Sequence, residues 1–144
     1  IIPPIRTESD SISLKEGLID GTIDYLTSMH EPYDIDHKRV VFDDASPGSI
    51  GLESIFGLMC NQFTLEKSID ILTRRKMIFE IDDHSIEVGS KANLTLFNPD
   101  KNYEFSNDRI LSSSKNCAYI GNKLKGIVYG SVNGDKFTLN KVWT

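Results

Sequence analysis

The chain of 144 residues has only two cysteines, one tryptophan and no long apolar run, and its net charge of -5 has the wrong sign for a polyanionic partner. Each shortage excludes a class. Cys60 and Cys117 form neither a C-x-x-C pair nor a dense framework, so they give no case for a zinc knot or a disulfide-built scaffold and read as small apolar side chains. With 21 acidic against 16 basic residues there is no basic field of the kind nucleic-acid binding rests on. No stretch approaches the roughly 20 apolar residues of a membrane-spanning helix, and no charged-then-apolar leader precedes a small-residue cleavage site. A cytoplasmic protein is expected. There is no internal repeat, and Ser112-Ser113-Ser114 is too short to count as low complexity.

What is present changes period along the chain. Ser11 to Gly17 reads as a short helix with Ile12 and Leu14 available for burial, ended by Asp20-Gly21, and Thr22 to Thr27 reads as a strand. Asp34 to Ser49 is charged and turn-rich, which suits a loop. Leu52, Ile55, Phe56, Met59 and Phe63 recur at helical spacing, predicting a helix from about Gly51 to Gln62 with that stripe buried. Thr64 is the expected N-cap of a further helix through Arg74, whose Arg74-Arg75-Lys76 end suits the helix macrodipole. Beyond it the period becomes two: Leu94 and Leu96 alternate with Thr95 and Phe97 until Asn98-Pro99-Asp100 stops the strand, and Asn133-Gly134 marks a hairpin between 127–132 and 136–139. The halves are expected to meet between Arg75 and Ile86.

Several short runs, in order, carry a resemblance. Asp20-Gly21-Thr22-Ile23-Asp24 followed by Met29-His30-Glu31-Pro32-Tyr33 resembles the dihydroorotase pattern D-G-T-I-D…T-D-H-A-P-H. Ile2-Pro3-Pro4-Ile5-Arg6 is similar to N-P-P-L-R, and Ser46 to Glu53 to P-F-G-I-V-G-L-E. Ile86 to Leu94 resembles I-x-x-G-x-x-A-D-L, and Ser114-Lys115-Asn116, Gly121 and Leu124-Lys125-Gly126 resemble S-K-N…G…L-K-G. The resemblance covers nearly the whole chain. It implies an α/β fold: the C-terminal fragment of a (β/α)8 TIM-type metal-dependent hydrolase barrel (residues 1–79) plus the closing strands of an accessory β-sandwich (residues 80–144). A complete barrel takes about 250 residues, and Ile1-Ile2-Pro3-Pro4 enters its motif part-way without a Met, so a C-terminal or clipped piece is expected, partnered by the rest of its own barrel and forming a homodimer.

In the family, as the resemblance implies, two zinc ions bridged by hydroxide open or close the cyclic amide of dihydroorotate in pyrimidine biosynthesis. Most metal ligands are histidines of earlier strands; the last-strand aspartate touches the metal and shuttles the proton. That aspartate falls on Met29, a neutral thioether that neither accepts a proton near pH 7 nor suits a site of imidazole and oxygen. Ser28 and Asp24 have the opposite strand parity from Met29 and are expected to face away; Asp34 would have to swing in from the loop. The substrate-site asparagine falls on Ile2, which has no hydrogen-bonding side chain. The second histidine falls on Tyr33, which carries no positive charge, and the Phe-Gly pair on Pro47-Gly48, where Pro47 lacks a backbone N–H. No catalytic residue and no metal ligand is retained at these positions, and zinc is expected to be a family cofactor that this chain does not hold.

For the remaining polar residues the plain readings are favoured. His30 is expected to be hydrogen-bonded rather than a metal ligand, His37 and His84 exposed, and Glu53 and Glu66 helix-surface carboxylates without an acid/base partner. Two functions compete. One is a noncatalytic dihydroorotase homologue retained for structure or for assembly with aspartate carbamoyltransferase, as some members of the family are. The other is an active zinc dihydroorotase with a substituted base. A free-standing binding module is disfavoured, because the barrel-derived segment Ile2 to Asn61 would have no reason to persist.

Overall fold

A computed structural model describes residues 2–74, 78–81 and 86–140. Three helices, α1 (Glu8–Asp20), α2 (Ile55–Gln62) and α3 (Leu65–Thr73), precede three strands, β1 (Asn93–Glu104), β2 (Lys123–Asn133) and β3 (Lys136–Leu139). The strands form one antiparallel sheet in the order β1-β2-β3. This is a small α/β unit.

Helix α1 is longer than the apolar spacing predicts because its ends are well capped. The Thr7 hydroxyl accepts from the Asp10 N–H while the Asp10 carboxylate accepts from the Thr7 N–H, a reciprocal box that starts the helix early. Gly21, at φ 90°, closes the other end. Ile12 and Leu14 stay largely exposed, and Gly17 and Leu18 are the buried positions. Thr64 caps α3 as expected, its hydroxyl accepting from the Lys67 N–H. Arg74, however, serves a different helix. Its guanidinium donates to the carbonyl of Leu18 at 3.1 Å and Lys67 Nζ to that of Ile19 at 2.9 Å, so cations from α3 meet the C-terminal carbonyls of α1, which has no basic residue in its own last turn. Arg75, Lys76 and His84 lie outside the described residues.

The expected strand at Thr22–Thr27 is not formed. No parallel neighbour pairs with it among the described residues, and the Ile23 N–H turns back to the Gly17 carbonyl; the nearest ladder-like feature is a single parallel bridge between His30 and Ser49. Conversely, β1 does not stop at Asn98-Pro99-Asp100. Asn98 pairs with Ile127 and Asn102 with Lys125, so residues 99–101 bulge opposite Gly126 and Pro99 owes no ladder hydrogen bond. The hairpin turn lies one residue later than expected. Asn133 pairs with Lys136, which leaves Gly134-Asp135 as the loop, with Gly134 at φ 61° as a primed turn requires at its first central position.

Helix α2 begins at Ile55, after a turn in which the Ile55 N–H bonds to the Gly51 carbonyl, and it joins two apolar clusters. Met59 packs with Leu18 and Ile71, flanked by Ile23, Leu26, Ile55 and Phe63, whereas Leu58 packs on Ile50, Phe105, Ile110 and Leu124. Leu52, expected in the buried stripe, is 62% exposed because it precedes the helix. Where α2 meets β2 the backbones approach through glycine: a Cβ on Gly57 would lie 2.8 Å from the Tyr103 hydroxyl, and one on Gly126 (φ 95°) 2.9 Å from the Phe56 ring. Phe56 in turn packs edge-on against Phe97, centroids 5.0 Å apart. This contact holds α2 beside the sheet.

Candidate functional site

Three of the positions singled out in the sequence come together. Ile2, Met29 and Gly48 line one cavity of about 190 Å³ with Thr27, Ser28, Glu31, Ser49, Ile50 and Tyr119. Tyr33 lies instead on a separate cavity of about 580 Å³ with Asp34, Ser114 and Asn116, and Pro47 is exposed and lines neither. Strand parity does not separate Ser28 from Met29, since this stretch is not a strand and Met29 takes φ 40°, so both face the same cavity. Met29 is 64% exposed. Asp24 is exposed and outside the cavity, and Asp34 lines the Tyr33 cavity.

His30 is fixed from three directions. Its Nδ1 accepts from the N–H groups of Gly51 at 3.2 Å and Leu52 at 3.3 Å, so the ring proton sits on Nε2, which faces Ser112 Oγ at 3.2 Å. The Ser112 hydroxyl then donates to Glu53 Oε1 at 2.7 Å, and the Ser112 N–H to the same oxygen at 2.9 Å. The chain His30–Ser112–Glu53 therefore has a consistent direction, and His30 has no free lone pair for a metal. The partnered, half-buried Glu53 departs from the plain surface reading. Burial raises its carboxyl, and the two Ser112 hydrogen bonds outweigh that and hold it below the ordinary 4.5, with a smaller contribution from His30.

Ser114-Lys115-Asn116 is the stitch that holds this segment. Asn116 Oδ1 accepts from the Tyr33 N–H at 3.2 Å, its Nδ2 donates to the Glu31 carbonyl at 2.9 Å, and its own carbonyl accepts from the Ile50 N–H. The Ser114 hydroxyl reaches the Tyr33 carbonyl at 2.5 Å, and Lys115 Nζ the Ile110 carbonyl at 2.7 Å. Lys38 closes the loop below, donating to the carbonyls of Ser46 and Gly48 at 2.6 Å each and standing 5.0 Å from the centre of the Tyr33 ring. His37 is exposed beside that ring. The run S-K-N was legible as a motif, but nothing in the sequence showed that its targets lie at residues 31, 33 and 50.

Comparison with known proteins explains the order of these motifs. A dihydroorotase of Caldanaerobacter subterraneus subsp. tengcongensis is 34% identical over 152 aligned residues, covering 98% of this chain. The chain is homologous to dihydroorotases. It spans about a third of the length of the curated relatives it matches, 35% in that case. No family model matches. Among solved structures, a D-hydantoinase superposes with a TM-score of 0.82 at 20% identity, over 99% of this chain and 34% of that one. The inactive dihydroorotase-like domain of a Chaetomium thermophilum CAD-like multifunctional protein superposes with a TM-score of 0.60 at 19% identity, over 92% and 36%. These likenesses establish that this dihydroorotase homologue has the fold of a part of such chains.

The residues that this homologue brings to the cavity do not fit zinc. Among the described residues no group of three or more His, Cys, Asp or Glu side chains is placed to hold a metal ion. Near Met29 the one imidazole, His30, is fully bonded, the hydroxyls of Thr27 and Ser28 are weak neutral donors, and Glu31 is a single carboxylate, short of the three protein ligands a zinc site takes.

Proposed function

We propose that this chain is the C-terminal part of a noncatalytic dihydroorotase homologue of pyrimidine biosynthesis, a fragment of a (β/α)8 barrel with closing strands of its accessory sheet, kept for structure and for assembly with aspartate carbamoyltransferase. The observation that carries the reading is position 29. Where the resemblance calls for an ionised aspartate, an exposed Met sits at the cavity mouth with a hydrogen-bonded, metal-incompetent His30 beside it. Ile2 on the same cavity removes a second polar group. That an inactive dihydroorotase-like domain exists with a similar fold makes such a role a known outcome for the architecture.

The apolar groove on the helical side supports the missing-barrel part of the reading. Ile5, Leu14, Leu18, Ile23, Leu26 and Met59 are among the residues lining a cavity of about 540 Å³, a surface suited to further barrel strands and helices. No described helix is long and apolar enough to cross a membrane. A cytoplasmic homodimer is part of the proposal. Zinc analysis and dihydroorotate turnover on the full-length protein test the catalytic half: no zinc and no turnover are expected, and stoichiometric zinc with turnover overturns it. Co-purification at micromolar concentration with aspartate carbamoyltransferase tests the assembly half.

A second reading, an active zinc dihydroorotase with a substituted base, is favoured by one feature, the Glu31 carboxylate on the same cavity as Met29. Loss of turnover in Glu31→Gln would support it.

A further inference from the structure

We propose that Glu31 sets the charge selectivity of the Met29 cavity, placing the chain's own carboxylate beside Gly48 and turning carboxylated ligands away. The inference rests on the reading that this cavity corresponds to the substrate pocket of the dihydroorotases. Glu31 stands where the pattern D-H-A-P-H has alanine, and it is the one carboxylate among the residues lining the cavity. Its side chain lies across Gly48 so closely that a Cβ at Gly48 would overlap Glu31 Oε2 and sit 2.9 Å from Glu31 Cβ. Gly48, at φ 105°, gives it that room.

The position is held rather than incidental. The Glu31 N–H donates to the Ser49 carbonyl at 3.1 Å and its carbonyl accepts from Asn116 Nδ2 at 2.9 Å, so the backbone is pinned on both sides and the side chain has the cavity as its outlet. Lys38 donates to the Ser46 and Gly48 carbonyls and stands over the Tyr33 ring rather than pairing with Glu31, so it offsets only part of the Glu31 charge from the Gly48 side. The remaining walls are apolar at Ile2 and Met29 and hydroxylic at Thr27 and Ser28. A small neutral or cationic molecule with hydrogen-bonding groups meets complementary chemistry there, whereas a carboxylated ring brings a like charge to within a few ångströms of Glu31. Two such charges about 5 Å apart change affinity by roughly fourfold at the dielectric of water and by more than about a hundredfold at that of a protein surface, so about tenfold is expected at an open cavity beside Lys38.

The test is calorimetric titration of the full-length protein with two probes, dihydroorotate and the uncharged ring dihydrouracil. Glu31→Gln keeps the size and removes the charge, and Glu31→Ala removes both. Glu31→Gln is expected to bind dihydroorotate about tenfold more tightly than the wild type with little change for dihydrouracil, and Glu31→Ala to gain for both. No gain for dihydroorotate in either variant, including no binding at all, overturns the inference and leaves the noncatalytic reading untouched. Turnover by the wild type that falls in Glu31→Gln overturns both and makes Glu31 the base. Zinc and dihydroorotate turnover that are indifferent to residue 31 overturn both, whereas zinc and turnover that rise in Glu31→Gln overturn the noncatalytic reading alone.

Discussion

His30 shows how a residue keeps its identity while its chemistry is closed off. Two backbone N–H groups fix its tautomer, and Ser112 links its other nitrogen to Glu53. Ser112→Ala strands the His30 Nε2 proton and leaves the Glu53 oxygen only the residue-112 N–H, so urea unfolding should show a loss of about 1–2 kcal/mol. Because the folded-state value of Glu53 is depressed, its contribution is fully present above the ordinary 4.5 and is lost as pH falls through the lower folded value. In Glu53→Gln that acid-side loss should shrink, read as a flatter stability curve below about pH 4.5. Tyr103 behaves in the opposite sense. Burial, opposed in part by Arg109, pushes its hydroxyl up to about 12, so its contribution is intact below the ordinary 10.0 and fades as pH climbs through about 12. Phenolate absorbance should contain a component titrating near pH 12, and Tyr103→Phe should delete it. In the sequence the losses at Ile2 and Met29 were legible because a missing donor or carboxylate is a property of the residue itself. The His30–Ser112–Glu53 chain was not, since its members lie 82 and 59 residues apart and only the packing of the sheet beside α2 brings them together.

Elements were legible where local chemistry decides them. Thr64 and Gly21 mark helix ends through their own hydrogen bond or dihedral, and the sequence showed both. The strand expected at 22–27 failed for the complementary reason, because a strand exists only through neighbours and no described residue supplies them. The meeting of α2 and β2 was invisible in the sequence, where Gly126 was only a motif letter. Gly57→Ala would press a methyl to 3.0 Å from Leu124 Cβ and 2.8 Å from the Tyr103 hydroxyl, and overpacking of this kind costs about 1–3 kcal/mol. Gly126→Ala adds a side chain at φ 95° to a clash with Phe56, so it should be the more damaging of the two. The order of the two midpoints in denaturant checks the geometry; equal, near-neutral effects would show that the helix does not lie that close to the strand.

At the scale of the molecule, much of the apolar surface has no partner. Ile5, Ile12, Leu14 and Ile19 are each more than two-fifths exposed, and Ile5 and Leu14 open onto the 540 Å³ groove. The chain spans about a third of its relatives' length, and on the proposed reading this is the face on which the rest of the barrel would pack. The consequence can be checked at one residue. If the groove were a solvent surface, a charge at Leu14 would change stability by no more than about 0.5 kcal/mol, as surface substitutions do. If further barrel elements cover it, Leu14→Asp buries an unpaired carboxylate, a cost of several kcal/mol. We expect the larger effect in the full-length protein, read as a fall in midpoint with increased binding of a hydrophobic dye. A neutral outcome would mean that the groove faces water, and the missing-barrel reading would then lose the surface on which it stands.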